Sequence, residues 1–235
     1  MKKKDSEVVQ FLKPYDSTIA FYKFLSSHNL LNKNTKNVID IGTGIGANLH
    51  FFSSKHKNIN FLGTDYNVKR LQQGKKLNKN PKIKLQKLNI LKSTESLQNR
   101  FDGLICIHTL CVFKKLEIVL KNFCSIKPKW IAINSLFYDG KLDVLVHIRD
   151  HENKKLKDDN PDADFNIFSL SKMEEIFKKN GYMIVKKEPY FPKKKIKKQG
   201  KGKRGSYTVK TEFHKYSTFS GPVYLPWYFV LAKKI

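Results

Sequence analysis

Apolar residues fall into short, β-branched runs separated by stretches whose apolar positions recur every three or four residues, and the two patterns alternate along the chain. The run Asn37–Ile41 is the first clear strand, and it leads directly into Gly42-Thr43-Gly44-Ile45-Gly46. The pattern then predicts a helix from 47 to about 56, a strand over 59–64, a helix over 68–77, strands over 83–88 and 101–108, a helix over 114–123 and a strand over 130–136. Strands alternating with helices at this spacing call for a parallel sheet covered by helices on both faces. Upstream, residues 8–31 read as a helical segment, with Asp16 or Ser17 as its cap and Ile19, Tyr22, Phe24 and Leu25 among its apolar positions.

After Phe137 the pattern stops for nearly thirty residues. This insertion, 138–165, carries six acids in its second half: Asp150, Glu152, Asp158, Asp159, Asp162 and Asp164. Order resumes with a helix over 169–179, ended by Asn180-Gly181, and a strand over 182–189. A basic loop, 193–217, precedes a last strand over 224–232. The expected organisation is an N-terminal helical segment, 1–36, followed by one α/β domain, 37–235.

Composition narrows this picture. The chain has 235 residues, enough for a continuous core, and no apolar run approaches the roughly 18 residues that cross a bilayer. Cys106, Cys111 and Cys124 lie in hydrophobic segments without C-x-x-C spacing, which predicts buried free thiols. The N-terminus lacks an apolar signal core, so a cytoplasmic protein is expected. The net charge of +26 raises the question of a nucleic-acid partner, but the cations are 42 Lys against 4 Arg, beside 18 Asn and 19 Ile. That skew resembles AT-rich codon bias, whereas nucleic-acid readers lean on Arg for bidentate contacts. What remains is local: eight of the twelve residues from Lys193 to Arg204 are basic and none is acidic.

The candidate chemistry starts at the first strand-to-helix turn. Glycines there let the backbone turn tightly and admit a ligand close to the main chain. Asp65, which follows the second strand 19 residues after Gly46, is spaced to accept hydrogen bonds from a ribose diol. Gly42, Gly44 and Ala47 also fit the pattern of dinucleotide binders. Asp40 at the mouth of the turn weighs against a pyrophosphate and favours a cationic cofactor.

Asp40-Ile41-Gly42-Thr43-Gly44-Ile45-Gly46 with Asp65 resembles the glycine motif of class I S-adenosylmethionine-dependent methyltransferases over roughly 37–235. The resemblance implies a Rossmann-like, doubly wound, seven-stranded sheet, mostly parallel with an antiparallel C-terminal strand, and S-adenosyl-L-methionine as cofactor. By motif position it implies that Asp40 and the backbone of Gly42, Gly44 and Gly46 face the methionine moiety, that Asp65 holds the ribose and that Tyr66 lies against the adenine. Asn89 stands where the family usually has Asp contacting the adenine amino group, with the Ile90 backbone nearby. An Asn keeps only a carbonyl oxygen for that role. Gly205-Ser206-Tyr207-Thr208, the segment beginning Ser220-Gly221-Pro222 and the run Asn134-Ser135-Leu136-Phe137 resemble a set of bacterial members that look like tailoring enzymes of surface polysaccharides or other small metabolites.

His108, at the end of the fourth predicted strand, is placed to line the pocket or to act as a general base. Asp139, His147, Asp150 and His151 in the insertion are further base candidates, with His147 and Asp150 foremost beside His108; a solvated acidic lid is the plainer reading of the same segment. No i, i+4 histidine pair or comparable cluster stands out, so no metal is expected. The leading function is methyl transfer to a small-molecule or glycan acceptor, at oxygen. The alternatives are an RNA methyltransferase, motivated by the basic run and Tyr207, and a non-catalytic cofactor-binding protein.

Overall fold

The computed structural model describes residues 6–92, 94–149, 162–198, 206–220 and 223–235. Its first ordered elements are two helices, α1 (Ser6–Leu12) and α2 (Asp16–Ser27), rather than the single helical segment expected over 8–31. Pro14 stands between them, where its missing N–H and fixed φ interrupt a helix. Tyr15 takes the N-cap position of α2 without a side-chain capping hydrogen bond, and Asp16 and Ser17 lie in the first turn, so neither expected cap is the cap.

The alternating core follows: β1 (Asn37–Ile41), α3 (Ala47–Lys55), β2 (Asn60–Asp65), α4 (Val68–Leu77), β3 (Ile83–Lys87), β4 (Gly103–Ile107), α5 (Leu116–Ser125) and β5 (Trp130–Tyr138). The insertion carries two short strands, β6 (His147–Arg149) and β7 (Asp162–Asp164), and is followed by β8 (Phe168–Ser169), α6 (Leu170–Lys179) and β9 (Tyr182–Pro189). Ser169 Oγ caps α6 by accepting from Lys172 N–H at 3.1 Å. The basic loop contains two further strands, β10 (Ser206–Val209) and β11 (Ser217–Ser220). The single final strand expected over 224–232 is two, β12 (Val223–Tyr224) and β13 (Trp227–Lys234), separated at Leu225-Pro226 because proline lacks the N–H that a central strand needs.

The main sheet runs β3-β2-β1-β4-β5-β13-β9, with β8 added alongside β5. β1 to β5 are mutually parallel and β13 is antiparallel to both neighbours, as expected from the family pattern. β4 is wholly buried and β5 is buried over its first eight residues, which explains their continuous apolar sequence. One face packs on α5 and α6 through Leu120, Phe123, Met173 and Phe177; the other packs on α2, α3 and α4 through Phe21, Leu25, Leu49, Phe52 and Leu71. The three cysteines are free and buried in this core.

Sheet and helices meet with little spare volume. A Cβ on Gly103 would lie 2.0 Å from the Trp130 ring on the neighbouring strand. Gly103→Ala is therefore expected to destabilise the chain by about 1–3 kcal/mol through overpacking, read as a lower urea midpoint at unchanged slope.

Candidate functional site

Strand order reverses between β1 and β4, and the crevice at such a reversal is where open α/β sheets take ligands. A cavity of about 570 Å³ opens there. Gly42, Thr64, Asp65, Tyr66, Arg70, Asn89 and Ile90 line it, together with His108, Thr109, Val112, Phe113 and Asp164.

The glycine turn is built by backbone bonds to the next strand. Gly42 and Thr43 N–H both donate to Thr64 O, at 2.8 and 2.9 Å. Gly42 has φ +79°, and a Cβ there would lie 2.2 Å from the Thr109 side chain, whose hydroxyl donates to Gly42 O at 3.1 Å. Only glycine satisfies both the backbone conformation and this close approach. Gly46, also at φ +79°, starts α3.

Asp65 is buried, and its two oxygens are both engaged: Gly44 N–H donates to Oδ2 and Asn67 N–H to Oδ1, each at 2.9 Å. Asn89 is exposed and uses its side-chain oxygen to accept from Leu91 N–H at 3.0 Å, while Ile90 O accepts from the Asn122 side chain. Tyr66 is 74% exposed at the mouth. Asp40, Gly44 and Gly46 do not line the cavity. Asp40 is buried in β1, and neither of its oxygens has a hydrogen-bond partner. Burial pushes its pKa up to about 7, with the nearby Asp65 charge adding to the rise and the Thr43 hydroxyl, short of an ordinary hydrogen bond, opposing it.

His108, which follows β4, has φ +57°, and this turns the chain out of the strand. Its ring rests edge-on against Trp227, centroids 4.7 Å apart, and the Asn134 side-chain amide contacts Nε2 at 3.0 Å. Burial lowers the imidazole to about 4, so it is neutral at pH 7. His147 lies in the β6–β7 hairpin of the insertion, and its Nδ1 is 3.0 Å from Asp164 Oδ1. Lys114 approaches Asp164 Oδ2 at 3.8 Å. The Asn166 side chain locks this hairpin to the chain after β4, accepting from Val146 N–H at 3.2 Å and donating to Phe113 O at 2.8 Å.

The fold thus brings His108 and the cavity-facing partner of His147 to the same cavity, and adds Asp164, which the sequence reading treats only as one acid of the insertion. Strands of three residues carry no local signal for it, and its pairing with His147 needs the tertiary register. Asp150 and His151 lie outside the described residues. Among the described residues no group of three or more His, Cys, Asp or Glu side chains could hold a metal ion, and no helix is long and apolar enough to cross a membrane.

The neutral His108 sets an acid dependence. Its folded pKa lies below the ordinary 6.5, so the unfolded chain binds a proton that the folded chain refuses, and stability falls as the pH drops from about 6.5 to about 4. His108→Gln should remove that loss, about 3 kcal/mol at the acid end, seen as a smaller decline in unfolding free energy across this range than in the parent chain.

A family model described as a methyltransferase domain matches residues 17–187. No curated protein matches the sequence. Among solved structures, 1,6-didemethyltoxoflavin-N1-methyltransferase from Burkholderia thailandensis, solved with its substrate and S-adenosylhomocysteine, superposes with a TM-score of 0.59 at 11% identity, over 97% of this chain and 83% of that one. The N-terminal domain of EvdMO1, solved with S-adenosylhomocysteine and D-fucose, gives a TM-score of 0.57 at 11% identity, over 94% and 84%. A Galdieria sulphuraria protein, provisionally assigned as a sarcosine dimethylglycine methyltransferase, gives 0.55 at 13% identity, and there the match covers 74% of this chain but 62% of the other. These structures share the fold; the family model spans most of the chain, glycine turn and cavity included. The chain belongs to the methyltransferase-domain family, as a class I enzyme whose cofactor is S-adenosylmethionine.

Proposed function

We propose that the chain transfers the methyl group of S-adenosylmethionine to a hydroxyl oxygen of a small-molecule or glycan acceptor. The observation that carries this reading is the shared cavity: the glycine turn and Asp65 line it together with the His108 and Asp164 side chains, beside the β6–β7 pair.

The residues suit the cofactor. Asp65, at the end of β2, has further lone pairs for a ribose diol, and the exposed Tyr66 ring and the Asn89-Ile90 turn offer an adenine a face and an edge. Gly42 lines the cavity and the side-chain position of Gly44 is open space, which leaves backbone of the turn accessible to the methionine moiety. Asp40 lies buried beneath the turn with unpartnered oxygens; a nearby ammonium or sulfonium would favour its ionised form, and that charge would oppose a pyrophosphate. The bound cofactor supplies an electrophilic methyl on sulfur. Positive charge disappears in the transfer, so a cavity that excludes water and aligns the acceptor accounts for much of the rate.

An acceptor hydroxyl must lose a proton. Asp164, which lines the cavity and is backed by His147, stands to receive it, whereas His108, with Nε2 against the Asn134 amide and its pKa lowered to about 4 by burial, shapes the cavity. The EvdMO1 structure with D-fucose supports a sugar-sized acceptor for this architecture. RNA methylation is the second reading, motivated by the lysines of 193–198.

Calorimetry with S-adenosylmethionine tests the cofactor half. Asp65→Ala should weaken binding by about tenfold or more, as expected for losing charge-assisted hydrogen bonds worth about 1.5–3 kcal/mol. Undiminished affinity in that variant would remove Asp65 from the site. For the acceptor half, Asp164→Asn should leave cofactor affinity within about twofold while slowing methylation of sugar hydroxyls by about 100-fold, the scale of a lost general base. Labelling of RNA in preference to extracted glycans, with labelled cofactor, would overturn the hydroxyl-acceptor reading.

A further inference from the structure

Beyond β9 the chain leaves the main sheet and builds a second one, β10-β11-β12. Segment 193–198 runs beside it: Ile196 N–H donates to Thr208 Oγ1, and Thr208 N–H donates to Ile196 O, each at 2.9 Å. This pins five exposed lysines, Lys193, Lys194, Lys195, Lys197 and Lys198, along the edge of β10. Among the described residues none of the five is ion-paired.

The small sheet sorts its side chains by face. Thr208 and Thr218 pair across the strands and are buried. On the other face the register sets Tyr207 opposite Phe219 and Phe219 opposite Tyr224, one aromatic residue from each strand. Their ring centroids are 6.1 and 5.6 Å apart, and Lys198 Nζ sits 5.1 Å from the centre of the Tyr207 ring. Tyr224 is 41% exposed. A short aromatic row bordered by unpaired cations is the chemistry that stacks a planar base and neutralises phosphate.

The row also lies close to the cavity. Tyr224 is three residues before Trp227, about 10 Å of extended chain, and the Trp227 indole packs on His108, which lines the cavity. We infer that this basic, aromatic sheet holds the nucleoside diphosphate of a nucleotide-linked sugar acceptor: the base stacks on the Tyr207–Phe219–Tyr224 row, the lysines of 193–198 neutralise the diphosphate, and the sugar hydroxyl reaches past Trp227 into the cavity. This rests on the small-molecule or glycan reading above and names its substrate class. A polynucleotide fits less well. The row is only three rings long, which suits one base rather than a run of stacked nucleotides.

The test uses the full chain saturated with S-adenosylhomocysteine, so that nucleotides are kept out of the cofactor cavity. UDP, CDP, GDP and ADP are titrated in turn, with the matching nucleosides, inorganic pyrophosphate and an oligouridylate RNA as comparison probes. At least one diphosphate should bind about tenfold more tightly than both its nucleoside and pyrophosphate, and its affinity should fall as salt rises. Changing the five lysines together to Gln, or Phe219→Leu alone, should weaken that binding by about tenfold with S-adenosylhomocysteine affinity unchanged. Tyr224→Leu replaces the Phe219 variant if the latter loses S-adenosylhomocysteine binding and hence its fold. The proposal is overturned if no diphosphate binds, if pyrophosphate binds as well, if the variants leave affinity intact, or if the RNA binds more tightly. Failure of S-adenosylhomocysteine to bind the parent chain would instead count against the cofactor reading, and the same titrations without it would still read the small sheet.

Discussion

The buried Asp65 carboxylate organises the cofactor end of the molecule. By accepting from Gly44 N–H with one oxygen and from Asn67 N–H with the other, it ties the glycine turn after β1 to the start of α4. Gly42 and Thr43 reinforce the same junction through Thr64 O. A charge held by backbone donors is stabilised where it lies, so the turn keeps a shape that three positive-φ glycines would otherwise leave loose. Asp40, a few residues away, has the opposite fate. Buried without a donor, it sits near the point of holding a proton at neutral pH, and added positive charge nearby would favour its ionised form.

The surroundings of His108 depend on a different junction. β13 inserts between β5 and β9 and runs against both, which carries Trp227 to the ring of His108. Asn134 on β5 completes the contact from beneath, through its side chain and through its carbonyl, which accepts from His108 N–H at 2.8 Å. An imidazole packed this way stays neutral because its cation would be poorly solvated. The last strand, the fifth strand and the residue that ends the fourth therefore act as one unit, and the small sheet hangs from it through Leu225, which packs with Cys111, Leu136 and Ile167.

Much of this arrangement was legible beforehand. β4 and most of β5 stand out as largely apolar runs because both their faces are buried, β3 alternates because only one of its faces is, and the glycine turn stands out because few residues tolerate its backbone. The N-terminal helix break and the split last strand were misjudged where Pro14 and Pro226 outweighed an otherwise continuous apolar pattern. The insertion was opaque for another reason. β6 and β7 have three residues each, too few for a periodicity, and they are separated by a long polar stretch.

What the sequence determined by itself was the alternating fold, the turn and the chemical types at the cofactor end, because local backbone geometry and burial on both faces write directly into residue choice. Only the tertiary structure decided which acids face the cavity and which lie beneath it. Asp40 and Asp65 look equivalent along the chain, yet one is without hydrogen-bond partners in the core and the other is held by two backbone donors. Only folding, likewise, set Asp164 against His147 and aligned Tyr207, Phe219 and Tyr224 across three strands. Such pairings are made by strand register between distant segments, and register is settled by packing of the whole sheet rather than by any one run of residues.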